Sequence, residues 1–161
     1  MKIIVITGAT SGIGYSCVKK FLSKKNIVIG IGRKLSKLKK MEKNFNNQDA
    51  KFISLKCDFE KKSEMKFLIN KFSKYKKIDT LINCAGLSHK GNIKDIDLHK
   101  WNRMMYVNVT VPYLLTQKLH LKLAKSDNPA VINVSSIAGR LRSISLGCHY
   151  TTSKAALIGM T

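Results

Sequence analysis

With 161 residues, the chain has the length of one domain and room for a sizeable core. Its net charge of +21, from 30 Lys and Arg against 9 Asp and Glu, could suit a nucleic acid or an anionic surface. The lysines, however, share their periods with apolar residues such as Leu35, Leu38 and Met41, and no aromatic-basic interleaving or zinc-finger spacing is present. The charge is therefore read as the solvated faces of helices, and no nucleic-acid partner is expected. Cys17, Cys57, Cys84 and Cys148 are too widely spaced for a zinc or disulfide framework, and no apolar run approaches the roughly 18 residues of a membrane span. No metal is expected, and the reading is of a soluble, cytoplasmic protein in a reducing compartment.

Residues 2–7 form an Ile/Val run that stops at Gly8, as a buried strand does. A helix is predicted over residues 12–24, with Ile13, Cys17, Val18 and Phe21 on one side. A strand follows over 27–31, a lysine-rich helix over 35–45, a strand over 51–56 and a helix over 61–75. The fourth strand is placed at 78–83 and ends in Cys84-Ala85-Gly86; a polar loop runs from 87 to 94. The longest helical pattern spans 98–126, with Pro112 as a kink or boundary. A fifth strand, 130–134, leads into Ser135-Ser136, and a last helix starts near His149 or Tyr150. Strands and helices alternating through short joints predict a doubly wound parallel α/β sheet with helices on both faces. The last helical pattern carries no stop signal before Thr161, so either the chain is naturally cut short or it is a fragment.

Two constellations carry chemistry. The first is Thr7-Gly8-Ala9-Thr10-Ser11-Gly12-Ile13-Gly14, between the first strand and first helix. Glycines there allow a tight turn and let a helix N-terminus approach a pyrophosphate, although three glycines could equally serve packing. The spacing is GxxxGxG rather than the GxGxxG dinucleotide fingerprint. The second is Tyr150 and Lys154, which share a helix face at a spacing of four residues. A phenol is a poor base at neutral pH and a neighbouring cation favours its ionised form, so the pair suits proton exchange with a substrate oxygen. Taken alone, a Tyr-x-x-x-Lys pair is a common surface accident.

The octet, together with Asn83-Cys84-Ala85-Gly86, Asn108-Val109, Ser135-Ser136 and Tyr150-x-x-x-Lys154, resembles the short-chain dehydrogenase/reductase family almost from end to end. The resemblance implies a Rossmann-like three-layer fold with strand order 3-2-1-4-5, its final strands missing from this chain, and a single NAD(P)-binding domain over residues 1–161. It implies a catalytic set of Asn108, Ser136, Tyr150 and Lys154. Ser136 would orient the substrate oxygen, Lys154 would also hold the nicotinamide ribose, and Asn108 would hold a relay water. It sets the cofactor against Gly8, Thr10, Ser11, Gly12, Ile13 and Gly14, then Arg33, Asp58 and Phe59, then Asn83, Ala85 and Gly86, with Tyr150 and Lys154 at the reacting end. Asp58 would contact the adenine ring; seen alone it could be a helix cap, and Asn83 and Asn108 could be structural. Cys84 stands where the family has a second asparagine, and the interval from Ser136 to Tyr150 is one residue longer than in many members.

Around Arg33-Lys34, at the end of the second strand, there is no acid. The resemblance therefore favours NADP(H) over NAD(H), unless these two residues only share in the general basic excess. The implied activity is hydride transfer between the cofactor and a carbonyl or secondary alcohol. A 3-oxoacyl thioester on an acyl carrier protein is the specific candidate, and secondary-alcohol and steroid dehydrogenases share the same motifs. A homodimer or homotetramer is implied for the full-length form. The alternative is a truncated, non-catalytic nucleotide-binding or protein-interaction domain.

Overall fold

Alternation along the strands decides which side of the sheet each residue serves. In the computed structural model, which describes residues 1–46, 50–141, 143 and 145–161, Ile4, Ile6, Val28, Phe52 and Ile82 enter one core. Val5, Ile29, Ile31 and Leu81 enter the other. Because both faces of the central strands are covered, β1 (Ile3–Thr7), β2 (Ile27–Gly32) and β4 (Thr80–Asn83) read as nearly unbroken apolar runs. With β3 (Lys51–Lys56) and β5 (Ala130–Asn133), the described residues form one parallel sheet in the order β3-β2-β1-β4-β5, as expected.

One face carries α1 (Gly12–Leu22) and α2 (Leu35–Phe45), through Val18, Leu22, Leu38 and Met41. The other carries α3 (Lys62–Lys71), α4 (Leu98–Met105) and α5 (Val111–Leu123), through Leu68, Met104, Leu115 and Leu119. The last helix, α6 (Cys148–Met160), packs on α4 and on the turn between α4 and α5. This is the doubly wound three-layer arrangement, and its strand order reverses between β1 and β4, where open α/β sheets form a crevice.

Several boundaries differ from the periodic reading. The first helix stops at Leu22, not residue 24, because the chain turns through Lys25 at φ 57°. The third helix ends at Lys71; beyond it Phe72 and Tyr75 close tighter turns and their rings pack at 6.3 Å. The pattern expected over 98–126 is two α-helices joined by a π turn, Tyr106–Thr110, in which the Val111 amide reaches back to the Tyr106 carbonyl. Pro112 therefore follows the irregularity and sits in the first turn of α5, where a missing N–H costs little. The same missing N–H removes the donor that an α-helix would place on the Asn108 carbonyl.

Asp79 fixes the entry to β4. Its buried carboxylate accepts from the Ile3 amide at 2.8 Å and the Ser126 hydroxyl at 2.6 Å, with Lys77 at 3.3 Å. Burial alone would raise this acid, but the hydrogen bonds and Lys77 outweigh it and hold the group below its ordinary value. A carboxylate so depressed stabilises the fold above its unfolded value, and that contribution is lost as pH falls through the folded value. Asp79→Ala is thus expected to cost about 3 kcal/mol at pH 7. In denaturant titrations the gap to the parent should close as pH is taken below about 4.

Candidate active site

The glycine loop is built by close approach as much as by turning. Gly8 and Gly12 have φ of 67° and 51°, which side-chain-bearing residues rarely adopt. Gly14 is in the first turn of α1, and a Cβ there would lie 2.3 Å from the Gly8 carbonyl oxygen. Thr7, the last residue of β1, secures the other side of the loop. Its hydroxyl oxygen accepts from the Cys84 and Ala85 amides, each at 2.9 Å, and so joins the loop to the end of β4. Ser11 begins α1 with its carbonyl accepting from Tyr15 at 3.1 Å, while its hydroxyl makes no capping bond to the first turn. That helix end faces a cleft of about 540 Å³, a volume suited to a cofactor.

Most of the predicted site residues meet on this cleft. Gly8, Thr10, Ser11, Gly12 and Ile13 line it from the loop, Arg33 from the end of β2, Asp58 and Phe59 from the end of β3, Ala85 and Gly86 from the end of β4, and Tyr150 and Lys154 from α6. Ile13, an apolar residue of this lining, is 60% exposed. Asp58 shapes its own loop by accepting from the Glu60 amide at 3.2 Å. Arg142 and Ile144, between Ser136 and Tyr150, lie outside the described residues.

Gly14, Asn83, Asn108 and Ser136 are not on the cleft wall. Asn83 is buried and its amide donates to Asn133 at 2.8 Å, tying β4 to β5. Asn108, in the π turn, is 1% exposed, and its side chain grips the Leu87 backbone from both sides: Oδ1 accepts from the amide at 2.7 Å and Nδ2 donates to the carbonyl at 3.0 Å. Nδ2 also donates to the Ser153 hydroxyl at 2.9 Å, which donates to the Tyr150 carbonyl at 2.7 Å. The asparagine side chain therefore couples the loop after β4 to the helix that presents Tyr150. Ser136 starts a single 3-10 turn, Ile137–Gly139, and its oxygen accepts from the Ala138 amide at 3.2 Å, which leaves its proton to give. Ser135 is on the cleft wall and donates to the Lys154 carbonyl at 2.8 Å.

Lys154 is buried, and its ammonium donates to the Val134 carbonyl at 2.8 Å and lies 5.9 Å from the centre of the Tyr150 ring. Burial holds it below the ordinary lysine value. A Cβ on Gly86 would stand 3.6 Å from the Lys154 ammonium and 3.3 Å from Asn108 Oδ1, so this glycine keeps open the space between the two. Cys84, at the position that departs from the family motif, also lines the cleft, and burial raises its thiol, so it is present as the neutral SH. His149, the second residue of α6, is buried under Gly147.

Three side chains that the sequence reading did not assign shape the site: Thr7, Glu60 and Arg103. Arg103, on α4, donates to Glu60 through both Nε and a terminal nitrogen, the latter at 3.0 Å, and Arg33 approaches the same carboxylate at 3.5 Å. Thr7 stood in the octet without a role, and nothing in the local sequence pairs residues from the β3–α3 loop and α4.

Known proteins share this fold. The short chain dehydrogenase family profile matches residues 2–161. Dehydrogenase/reductase SDR family member 6 of Aquarana catesbeiana is 33% identical over 160 residues, which cover 99% of this chain and 62% of that protein. Among solved structures, a 4-hydroxyisoleucine dehydrogenase complexed with NADH superposes with a TM-score of 0.87 at 28% identity, over 100% of this chain and 65% of its own. A metagenomic short-chain oxidoreductase in complex with NADP gives 0.88 at 27% identity, over 99% and 72%. The chain spans about 62% of the length of the curated relatives it matches first. With the family profile running from its second residue to its last, the chain belongs to the short chain dehydrogenase family.

Proposed function

We propose that the chain carries the cofactor-binding part and the catalytic residues of an oxidoreductase that interconverts a carbonyl compound and a secondary alcohol with NADP(H). The observation that carries this reading is the meeting, in one cleft, of the open N-terminus of α1 with Tyr150 and the buried Lys154. The residues fit a dinucleotide. Gly14 is packed on Gly8 where any Cβ would displace the loop, and an uncapped helix end in a cleft favours an anionic pyrophosphate. Arg33, Lys34 and Lys37 line the far end and suit a 2′-phosphate better than a bare ribose; NAD(H) would lack that contact.

When bound, the nicotinamide supplies a hydride to the carbonyl carbon or takes it back from the alcohol. In reduction, Tyr150 gives its hydroxyl proton to the carbonyl oxygen as Ser136 donates a hydrogen bond to that oxygen. The Lys154 ammonium stabilises the phenolate that remains and is itself fixed by the Val134 carbonyl. The Asn108 backbone carbonyl, deprived of its α-helical donor by Pro112, is the acceptor for the relay water, because the side chain is occupied by Leu87 and Ser153.

The reading takes a small carbonyl or alcohol as substrate, with a 3-oxoacyl group on an acyl carrier protein as its specific candidate, since a net charge of +21 suits an acidic carrier. It places the protein in the cytoplasm without a nucleic-acid partner, as a homodimer or homotetramer in its full-length form. Exposed Leu98, Tyr113 and Leu121 on α4 and α5 supply apolar contact area for such assembly. Among the described residues no helix is long and apolar enough to cross a membrane. The test is a fluorescence titration with NADPH and NADH followed by a carbonyl-reduction screen. NADPH is expected to bind more tightly, and Arg33→Ala to weaken NADPH about tenfold with NADH nearly unmoved. A chain that folds yet binds neither cofactor would overturn the reading.

A further inference from the structure

The basic end of the cleft holds a contradiction for any phosphate-bearing ligand. Arg33, Lys34 and Lys37 line it, and so does Glu60, whose carboxylate lies 3.5 Å from Arg33. An uncompensated acid there would both occupy the guanidinium and repel an arriving phosphate. The acid is compensated from outside the cleft. Arg103 lies on α4, off the cleft wall, and takes both oxygens of Glu60 in the two-pronged geometry that suits guanidinium and carboxylate. Its hydrogen bonds are the main reason Glu60 is held below the ordinary carboxylate range; burial opposes them, and Arg33 contributes less. Arg33 keeps one long contact and a side chain that is 63% exposed, so most of its donors remain available.

We infer that Arg103 is a specificity-determining residue for the cofactor: by neutralising Glu60 it releases Arg33 to a 2′-phosphate and so sets the preference for NADPH over NADH. This rests on the reading of the cleft as a dinucleotide site with Arg33 at its phosphate end. Arg103 is a positioning residue, since it acts through Glu60 and not on the ligand. The arrangement is economical in geometry: β2 presents the guanidinium, the β3–α3 loop presents the acid, and α4 removes the acid's charge. Lysine at residue 103 would keep the charge but lose the fork, and glutamine would leave Glu60 with Arg33 as its nearest cation.

The experiment is a direct binding titration of the full chain with NADPH and NADH, read by nicotinamide fluorescence and needing no turnover. For Arg103→Gln, the ratio of the two affinities is expected to move about tenfold toward NADH, with NADH binding itself nearly constant. The shift should shrink in high salt. Adding Glu60→Gln to that variant should bring the ratio back to within about twofold of the parent, and Arg103→Lys should retain most of it. Equal weakening of both cofactors in Arg103→Gln, without recovery in the double variant, would assign Arg103 a structural role only and overturn the inference. If Arg33→Ala leaves the ratio unchanged in the parent background, the failure lies instead with the placement of the phosphate, and the inference falls with it.

Discussion

Tyr150→Phe is expected to lower kcat for carbonyl reduction by about 10²- to 10⁴-fold while NADPH binds within about twofold of the parent affinity. The change removes one oxygen from a side chain that is half-buried on the cleft wall, and it leaves the ring over which Lys154 sits. A phenyl ring cannot give a proton, so the alkoxide that hydride addition creates loses its direct donor and has to be protonated more slowly by another route. Lys154→Ala should differ in kind. It empties a buried position, removes the bond to the Val134 carbonyl and takes away the cation beside the phenol, so both kcat and cofactor affinity should fall. Because burial depresses Lys154, the alkaline limb of the kcat/KM profile should begin below the ordinary lysine value of about 10.4. Stopped-flow single-turnover reduction at several pH values, with a ketone the parent accepts, separates the two variants. Undiminished turnover in Tyr150→Phe would remove this tyrosine from the chemistry altogether.

How far the site could be read in advance depended on whether its parts were local. The periods of two and of about 3.6 residues gave α2 and β3 with their observed limits, because each alternates apolar and polar positions between clear breaks. The glycine octet and the Tyr150–Lys154 pair were legible for the same reason: each lies within one turn or one joint of the chain. Long-range pairings were not. The Thr7 hydroxyl matters because β4 happens to lie beside β1, and Glu60 matters because α4 brings Arg103 to it. The π turn was marked in the sequence only by Pro112, which signals the end of the irregularity and not its place. Asn108 was expected to hold a relay water; its side-chain role as the clamp between Leu87 and Ser153 required two loops and a helix to be in position.

Gly14→Ala is expected to abolish measurable NADPH binding and to destabilise the fold by about 2–3 kcal/mol, although alanine is the better helix former. Its Cβ would lie 2.3 Å from the Gly8 oxygen and 2.8 Å from the Gly8 carbonyl carbon, both backbone atoms that no rotamer change can move. Gly8 cannot retreat, because its own Cα faces the Ala85 backbone, where a Cβ would meet atoms at 3.0 Å, and Thr7 is fastened to the same segment by two hydrogen bonds. The strain is left to α1, whose N-terminus must swing away from the cleft and take with it the amides that face an anion. Gly12→Ala provides the contrast. That position has open space around it and a φ of 51°, so the substitution meets no neighbour and carries only the left-handed backbone cost of about 1–2 kcal/mol. Denaturant melts and NADPH titrations of the two variants side by side separate close packing from backbone conformation. Equal loss of binding in both would mean that the loop's shape, and not the contact of α1 with Gly8, sets the anion site.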